Sequence, residues 1–496
     1  MANIHITIDD QQLEVAEGIT ILEAARGNGI HIPTLCFLKE LDPRASCRIC
    51  VVEVEGMRTF QPSCSTKVRD GMVVRTNTEA VRANRKLTLE LIMAHHPVDC
   101  HHCLRIGSSK EQDLDPKFCE MCFFCDCVRD GICELQALNR EYHVDNLPFA
   151  LEGCRYEEDV SLHSIIRNSN KCVKCRRCVD VCNDVQNVHN LAMFSRGQDY
   201  RVTASMGKPM QESLCVRCGR CVDVCPTGAL YMEESIDHML SDAHTYGITT
   251  VGMVSASVLP ELERLNHMEP GTLDIHRVIA GMKKIGIDCM ISEEQVVNAN
   301  QELAEKLIQT SKKTAVISNS FAVKNFVEEF YPHLAHQISY YPSVQETFDS
   351  MVRGEVAGQF GWDVNTIKTV VFTDNNENGA EAQEKNTANY SMNSREIYRT
   401  FQRTGVDLRR IHSKDPLKFG MEKEYVFTDV TGPVAFNYEK EIQVLKVAGK
   451  KVRFLYKGII IKHNKTEPTY TKTSLFLCEK RRFFMARTEK GVVTTI

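Results

Sequence analysis

Two cysteine runs repeat each other at an offset of 43 residues: Cys172, Cys175, Cys178 and Cys182 in KCVKCRRCVDVC, then Cys215, Cys218, Cys221 and Cys225 in LCVRCGRCVDVC. Each reads C-x2-C-x2-C-x3-C. Three thiolates so closely spaced cap three corners of a cubane, and in paired runs the fourth cysteine ligates the other cluster. One 4Fe–4S cluster is therefore expected on Cys172, Cys175, Cys178 and Cys225, and a second on Cys182, Cys215, Cys218 and Cys221. Pro226 follows the second run, whereas Asn183 follows the first. That residue shapes a turn and is not a ligand. Such centres exchange single electrons, so the chemistry here is redox relay.

More thiols lie upstream. Cys36, Cys47, Cys50 and Cys64 read C-x10-C-x2-C-x13-C, one cysteine, a close pair and a distant fourth, which suits a 2Fe–2S centre. A four-thiolate zinc site uses similar chemistry, usually from two C-x2-C knuckles. HHPVDCHHC supplies His96, Cys100 and Cys103, and GICELQ supplies Cys133. Between them FCEMCFFCDC carries Cys119, Cys122, Cys125 and Cys127, with Cys154 beyond. These five allow an additional centre, either a fourth 4Fe–4S cluster or a zinc ion. In all, 20 of 22 cysteines fall between Cys36 and Cys225. Cys289 and Cys478 read as core or incidental residues.

The elements that must hold these groups are legible in outline. NIHITI and residues 12–16 alternate as two strands around Asp9-Asp10, GITILEAARGNGI follows as a helix and VVEVEG as another strand. From about residue 247 the pattern becomes strand-helix-strand: TTVGMVSASVLPELERL, DIHRVIAGMKKIGIDCM, NQELAEKLIQTSKKTAVIS and TIKTVVFTD. NNENGAEAQEKNT is polar and turn-rich and is expected as a surface loop. With 496 residues, 43% hydrophobic and 25% charged, the chain is globular and multidomain. The net charge of −5 gives no sign of nucleic-acid binding, and no apolar run approaches the roughly 18–20 residues of a membrane span. MANIHITIDDQQLEV lacks the layout of an export signal, so a cytoplasmic location is expected, where thiols stay reduced, and metal ligation rather than disulfides is expected of the cysteines.

SCRICVVEVEG with PSCSTKVRDGMVVRT resembles the 2Fe–2S domain that opens iron-only hydrogenases and the large iron–sulfur subunit of respiratory complex I. The resemblance implies a β-grasp domain with 2Fe–2S ligands Cys36, Cys47, Cys50 and Cys64. In both families H-P-x-D-C-x2-C-x3-G-x-C-x-L-Q binds a 4Fe–4S cluster through one histidine and three cysteines, which implies His96, Cys100, Cys103 and Cys133. The families separate the last two cysteines by five residues, and here 29 intervene. CVRDGICELQ, starting at Cys127, matches that spacing better, so an alternative register with Cys127 in place of Cys103 stays open. The back half is similar to the hydrogenase catalytic domain at MEPGTLDIHRVIAGMKKIGIDCM, FVEEFYPHLAHQIS, SREIYRTFQRTGVDL and VLKVAGKKVRFLYKG. Yet where that family reads Thr-Ser-Cys-Cys-Pro, this chain reads Ile317-Ser318-Asn319-Ser320-Phe321, and the next ligand positions fall near Tyr341 and Asn375. Asn, Ser and Tyr supply no soft thiolate, so no hydrogen-activating centre is expected.

The expected architecture is α+β and α/β in five parts: a 2Fe–2S domain over 1–78, a His/Cys 4Fe–4S domain with the cysteine-rich insertion over 79–155, a two-cluster ferredoxin domain over 156–240, a hydrogenase-like α/β domain without its cluster over 241–435, and a basic segment with a hairpin over 436–496. Between Lys440 and Lys490 stand 14 Lys/Arg against 4 Asp/Glu, a charge that could dock an acidic partner. The chain resembles the large iron–sulfur subunit of the Sporomusa-type electron-bifurcating transhydrogenase. That implies an NADH-binding FMN flavoprotein, a small 2Fe–2S subunit or an NADPH-binding FAD subunit, and ferredoxin as partners. No G-x-G-x-x-G follows a strand, so nucleotide binding falls to those partners. The rivals are an electron-input subunit of an NAD(P)-linked formate dehydrogenase, hydrogenase or complex I-like enzyme, and a scaffold or assembly module with a small ligand in the vacated pocket.

Overall fold

A computed structural model describes residues 3–39, 41–96, 127–129, 132–144, 156–310, 315–411 and, beyond those, the strands at 444–447, 450–455, 459–462, 474–477, 484–488 and 491–495. They fall into two compact units: 1–214 with 220–231, and 215–219 with 232–496.

The first unit opens on a hairpin of β1 (Asn3–Ile8) and β2 (Gln11–Ala16), paired antiparallel to the Ile8↔Gln11 end. Asp9 and Asp10 turn the chain at φ 46° and 66°, a left-handed conformation that Asp tolerates better than most residues. β3 (Val51–Val54), β4 (Gln61–Pro62) and β5 (Val73–Arg75) complete a mixed sheet in the order β2-β1-β5-β3-β4. Asp9 accepts from the Thr76 amide at 2.6 Å, fastening the hairpin to the end of β5. The helix Ile21–Gly27 starts at a capping box of Thr20 and Glu23 and buries Ile21, Leu22, Ala24 and Ala25 against Ile4, Ile6, Ile8, Val52 and Val74.

A second core in this unit forms between the helices Glu79–Met93 and Glu134–Glu141. Leu89 and Met93 meet Leu135 and Leu138 there, together with Leu35, Ile49 and Val144. The cysteine repeats follow. β6 (Ile166–Arg167) pairs with β9 (Leu230–Tyr231), and β7 (Leu191–Phe194) pairs with β8 (Arg201–Ala204). Helices Arg177–Asp180 and Arg220–Asp223 occupy matching places in the two runs.

In the second unit β10 (Thr249–Val254), β11 (Cys289–Ser292), β14 (Ile367–Phe372) and β15 (Tyr390–Met392) form a parallel sheet in the order β11-β10-β14-β15. A second sheet joins β12 (Ala315–Ser318) and β13 (Ile338–Tyr340) to β18 (Ile459–Lys462), β17 (Lys450–Leu455) and β16 (Val444–Val447). Cys289 is buried in β11, as expected of a core cysteine, and Cys478 lies outside the described residues. One expectation fails. NNENGAEAQEKNT is not a loop: Asn376–Lys385 is a helix, capped by the Asn375 side chain accepting from the Glu377 amide and closed by left-handed Asn386. Its Ala380, Glu381 and Ala382 are buried, and that packing overrides poor local propensity.

Two consequences follow for stability, both readable through Trp362, the chain's single tryptophan, which packs in this second unit. A Cβ on Gly281 would lie 2.8 Å from Cζ of buried Phe401. Gly281→Ala gains about 1 kcal/mol of helix propensity, but overpacking costs about 1–3 kcal/mol. A lowered urea midpoint is expected, and the pair with Phe401→Leu recovers it. Glu396 caps the helix Ser394–Thr404. Burial first, and then the nearby Glu234 charge, push its carboxyl up from an ordinary value of 4.5 to about 8, against backbone donors and Arg399. A raised value means the folded state binds the extra proton between those two pH values, so stability falls as pH rises from about 4.5 through about 8. Urea midpoints followed by Trp362 fluorescence should therefore drop between pH 5 and pH 8.5, and Glu396→Gln, which still caps, should flatten that drop.

Candidate metal centres

Cys36 follows buried Leu35, and Cys47 and Cys50 sit on a loop bent by left-handed Ala45 and Arg48 (φ 49° and 60°) just before β3. Cys64 follows β4 and is buried, as are Cys36 and Cys50. The thiols associate two and two. Cys36 is hydrogen-bonded to Cys47, and Cys50 to Cys64, and the pairs feel each other's charge. The partner thiol lowers Cys36 to about 5 and Cys50 to about 6, while the same bonds and burial push Cys47 and Cys64 up. Backbone N–H groups of Ser46, Cys47 and Cys64 also donate to these sulfurs. Two pairs of cysteines suit a rhombic 2Fe–2S core, in which each iron takes two thiolates. Among the described residues no three His, Cys, Asp or Glu side chains converge as the ligands of one ion.

In the repeats the sequence identity is also a backbone identity. Lys174 and Arg176 are left-handed at φ 55° and 68°, and their counterparts 43 residues on, Arg217 and Gly219, stand at 59° and 69°. These kinks turn successive cysteines inward, and the Lys174 amide donates to Cys172 Sγ at 3.4 Å. Cys172, Cys175, Cys178 and Cys225 line one small cavity with Val202, Pro226 and Leu230. Burial pushes the thiols of Cys172, Cys175 and Cys178 up, and neighbouring thiols add to it. Three thiols that resist ionising, sharing one cavity with Cys225, fit a bound cationic centre, whose charge would deprotonate them. The second set is divided between units. Cys182 and Cys221 fall in the first unit, Cys215 and Cys218 in the second. Cys182 sits near the backbone N–H groups of Leu191, Asn190 and His189.

His96 ends the turn after the helix Glu79–Met93, its amide bonded to Met93 O at 3.0 Å and both ring nitrogens shielded from solvent. Cys133 precedes the helix Glu134–Glu141, and burial pushes its thiol up to about 12. Cys127 lies within electrostatic reach of Cys133, its Sγ packed against Gly228, where a Cβ would approach to 2.9 Å. Cys100, Cys103, Cys119, Cys122, Cys125 and Cys154 lie outside the described residues. The second core of this unit touches three of the thiol sets at once: Cys47, Cys133 and Val173, the last between Cys172 and Cys175, pack against it. Spacing gave no notice of two further residues. Arg177 is buried and donates to both carboxylate oxygens of Glu134, at 2.7 and 2.9 Å. No local pattern marks an ion pair of that sequence separation.

In the second unit, Asn319, Ser320 and Tyr341 line a cavity of about 520 Å³ with Lys324, Glu346, Glu381 and Lys385. Asn375 lines a separate cavity of about 160 Å³. Ser320 Oγ donates to Glu377 Oε1 at 2.5 Å and accepts from the Val323 amide, capping the helix Phe321–Phe330. Asn319 donates to Asn300 at 3.3 Å, and Lys385 bridges Glu381 at 3.0 Å and Glu346 at 3.4 Å. Burial pushes Tyr341 up to about 12. These hard, mutually bonded groups do not fit an iron–sulfur cubane.

Comparison with known proteins divides the chain in the same order. Residues 1–79 match the 2Fe-2S iron-sulfur cluster binding domain, 163–231 the ferredoxin-like domain of NADH-quinone oxidoreductase subunit 3, and 248–455 the C-terminal domain of the iron only hydrogenase large subunit. The chain thus carries 2Fe–2S, 4Fe–4S ferredoxin-like and hydrogenase-like domains. It is 33% identical over 298 residues to the NADP-reducing hydrogenase subunit HndD of Solidesulfovibrio fructosivorans, 58% of this chain and 46% of that one. It is 39% identical over 205 residues to an NADH-quinone oxidoreductase subunit of Rhizobium meliloti (41% and 21%). With the NADPH-Fe(3+) oxidoreductase subunit alpha of Geobacter sulfurreducens it shares 33% over 207 residues (42% and 22%). The chain spans less than half the length of each of these relatives. A chain of the NAD+-reducing [NiFe]-hydrogenase is similar at a TM-score of 0.40 and 26% identity, covering 47% of this chain and 89% of that one. No described helix is long and apolar enough to cross a membrane.

Ser320→Ala removes a cap and leaves Glu377 short of a donor, a loss of about 1–3 kcal/mol. The urea midpoint read by Trp362 should fall accordingly while iron per chain stays unchanged. A drop in iron would mean that the position holds metal after all.

Proposed function

We propose that the chain is an iron–sulfur electron-relay subunit of a multi-subunit, NAD(P)H-linked oxidoreductase. Bound clusters would supply one-electron exchange without proton or group transfer. Cys36, Cys47, Cys50 and Cys64 hold the 2Fe–2S centre in this reading. Cys172, Cys175, Cys178 and Cys225 hold one 4Fe–4S centre, and Cys182, Cys215, Cys218 and Cys221 another. His96, Cys100 and Cys133 hold a third, completed by Cys103 or Cys127, and the closeness of Cys127 to Cys133 favours Cys127. Cys119, Cys122, Cys125 and Cys154, with whichever of those two is left over, take a further cluster or zinc. The observation that carries the reading is the contrast between the halves: thiols gathered around one apolar core in front, and hydrogen-bonded Asn319, Ser320 and Asn375 where a hydrogenase holds its cluster.

The finer reading is the large subunit of a soluble, flavin-linked, electron-bifurcating transhydrogenase that couples NADH, NADPH and ferredoxin. Its partners would be an FMN flavoprotein, a small 2Fe–2S subunit or an FAD subunit, and ferredoxin. A second reading, an electron-input subunit for another NAD(P)-linked enzyme, is favoured by the names of the relatives.

Anaerobic purification of the native complex separates them. Flavoprotein companions and NADH-, NADPH- and ferredoxin-linked turnover are expected, and a molybdenum or nickel subunit would sink the transhydrogenase reading. Iron analysis should give about 14 irons per chain, with roughly four more if the insertion holds a cluster, or one zinc if it does not. Cys50→Ser should abolish or shift the 2Fe–2S EPR signal and leave the 4Fe–4S signals in place. An unchanged 2Fe–2S spectrum would refute that ligand set.

A further inference from the structure

We infer that Arg177 is the electrostatic junction of the relay, a buried positioning cation that stabilises the reduced forms of both the centre at Cys36 and the centre at Cys175. The inference rests on the relay reading above. Arg177 is only 6% exposed. It stands between Cys175 and Cys178 in sequence, and Val173, two residues before Cys175, packs on the same apolar core as Leu35 beside Cys36, so that negative charge at either cysteine favours its cationic form. Its guanidinium is held in a two-pronged grip by Glu134, the residue after Cys133. One side chain therefore reaches towards three proposed centres.

The two charges of the pair do not cancel inside the unit. The Glu134 side chain is 45% exposed against 6% for Arg177, so water screens the carboxylate far more than the guanidinium. Within this pair the guanidinium's charge is the less screened of the two. An added electron makes a cluster one unit more negative, and a fixed nearby cation raises the potential for taking it up. A guanidinium keeps its charge throughout, whatever the redox state around it. The second run shows what the feature is not. Its equivalent residue, Arg220, has a side chain 37% exposed and donates to Asp223 at 3.2 Å, where solvent damps its influence.

The test is an EPR-monitored redox titration of the full-length protein with its clusters in place. Arg177→Gln should lower the midpoints of the 2Fe–2S signal and of one 4Fe–4S signal together. At fixed ambient potential the reduced-to-oxidised ratio should fall about tenfold, which is about 59 mV for one electron. Glu134→Gln leaves the cation uncompensated and should move the same midpoints upward. Arg177→Lys should retain most of the wild-type values, and Arg220→Gln should shift them less than Arg177→Gln. Opposite shifts from the two partners of one ion pair are a signature of charge that mere loss of packing does not produce. Unmoved midpoints in Arg177→Gln, or shifts of the same sign in both variants, would overturn the assignment. If Arg177→Gln loses iron, the half-exposed Glu134→Gln decides alone, an upward shift supporting the junction and none refuting it. A wild-type protein without cluster signals would refute the relay reading itself, whereas signals with unmoved midpoints refute only the role of Arg177.

Discussion

Everything in the first unit is arranged around the cost of burying sulfur that must carry charge. A thiol taken out of water resists ionising, and each additional thiol beside it resists more, as burial and neighbours together do at Cys175 and Cys178. Two things offset that cost. Backbone N–H groups are turned toward sulfur by residues in left-handed conformations, Arg48 in the first site and Lys174 and Arg176 in the next. The rest needs a cation at the centre of each group of thiols. The fold is therefore a set of loops braced by small sheets and short helices, because loops present amides that a regular helix or strand has already spent.

That constraint explains which features could be read in advance. Ligand spacing is local, and so are the kinks that serve it. The Asp9-Asp10 turn, the helix after Thr20 and the strand-helix alternation from Thr249 follow the same short-range logic. Where the outcome depends on distant packing, the sequence was silent. Asn376–Lys385 looked like a polar loop because NNENG has little helical preference, yet burial of Ala380 and Ala382 holds it in a helix. The Arg177–Glu134 pair was invisible because neither residue lies in a pattern with the other. The neighbourhood of Cys127 and Cys133 was only half legible: C-x3-G-x-C fitted, but the C-x2-C pair at Cys100 fitted as well.

The second unit shows the opposite solution to the same problem. Asn319, Ser320, Tyr341 and Asn375 bring no thiolate, and the buried carboxylate of Glu381 already has Lys385 as its partner. The groups present satisfy one another instead. Ser320 caps a helix and bonds Glu377, Asn319 meets Asn300, and Lys385 joins two carboxylates. A Lys between Glu346 and Glu381 is an internal counter-charge, doing with protein atoms what an ion would do elsewhere. Most of the polar groups around the larger cavity are thus bonded to one another.

The internal repeat then isolates what distinguishes one proposed centre from another. Both runs share their spacing, their short helix holding the third cysteine and, within a few degrees, the φ values of the loop. Backbone alone would make the two centres equivalent. Their surroundings break the equivalence: Arg177 is sealed in, whereas Arg220 faces solvent beside Asp223. Arg176 tolerates a conformation for which the second run uses Gly219, where a Cβ would collide with Asn376 at 2.4 Å. Because a cluster's potential answers to charge and burial more than to the identity of its four cysteines, duplicated ligands in unlike settings give two unlike stations. A directional path needs that difference, and a duplicated motif can acquire it without changing a single ligand.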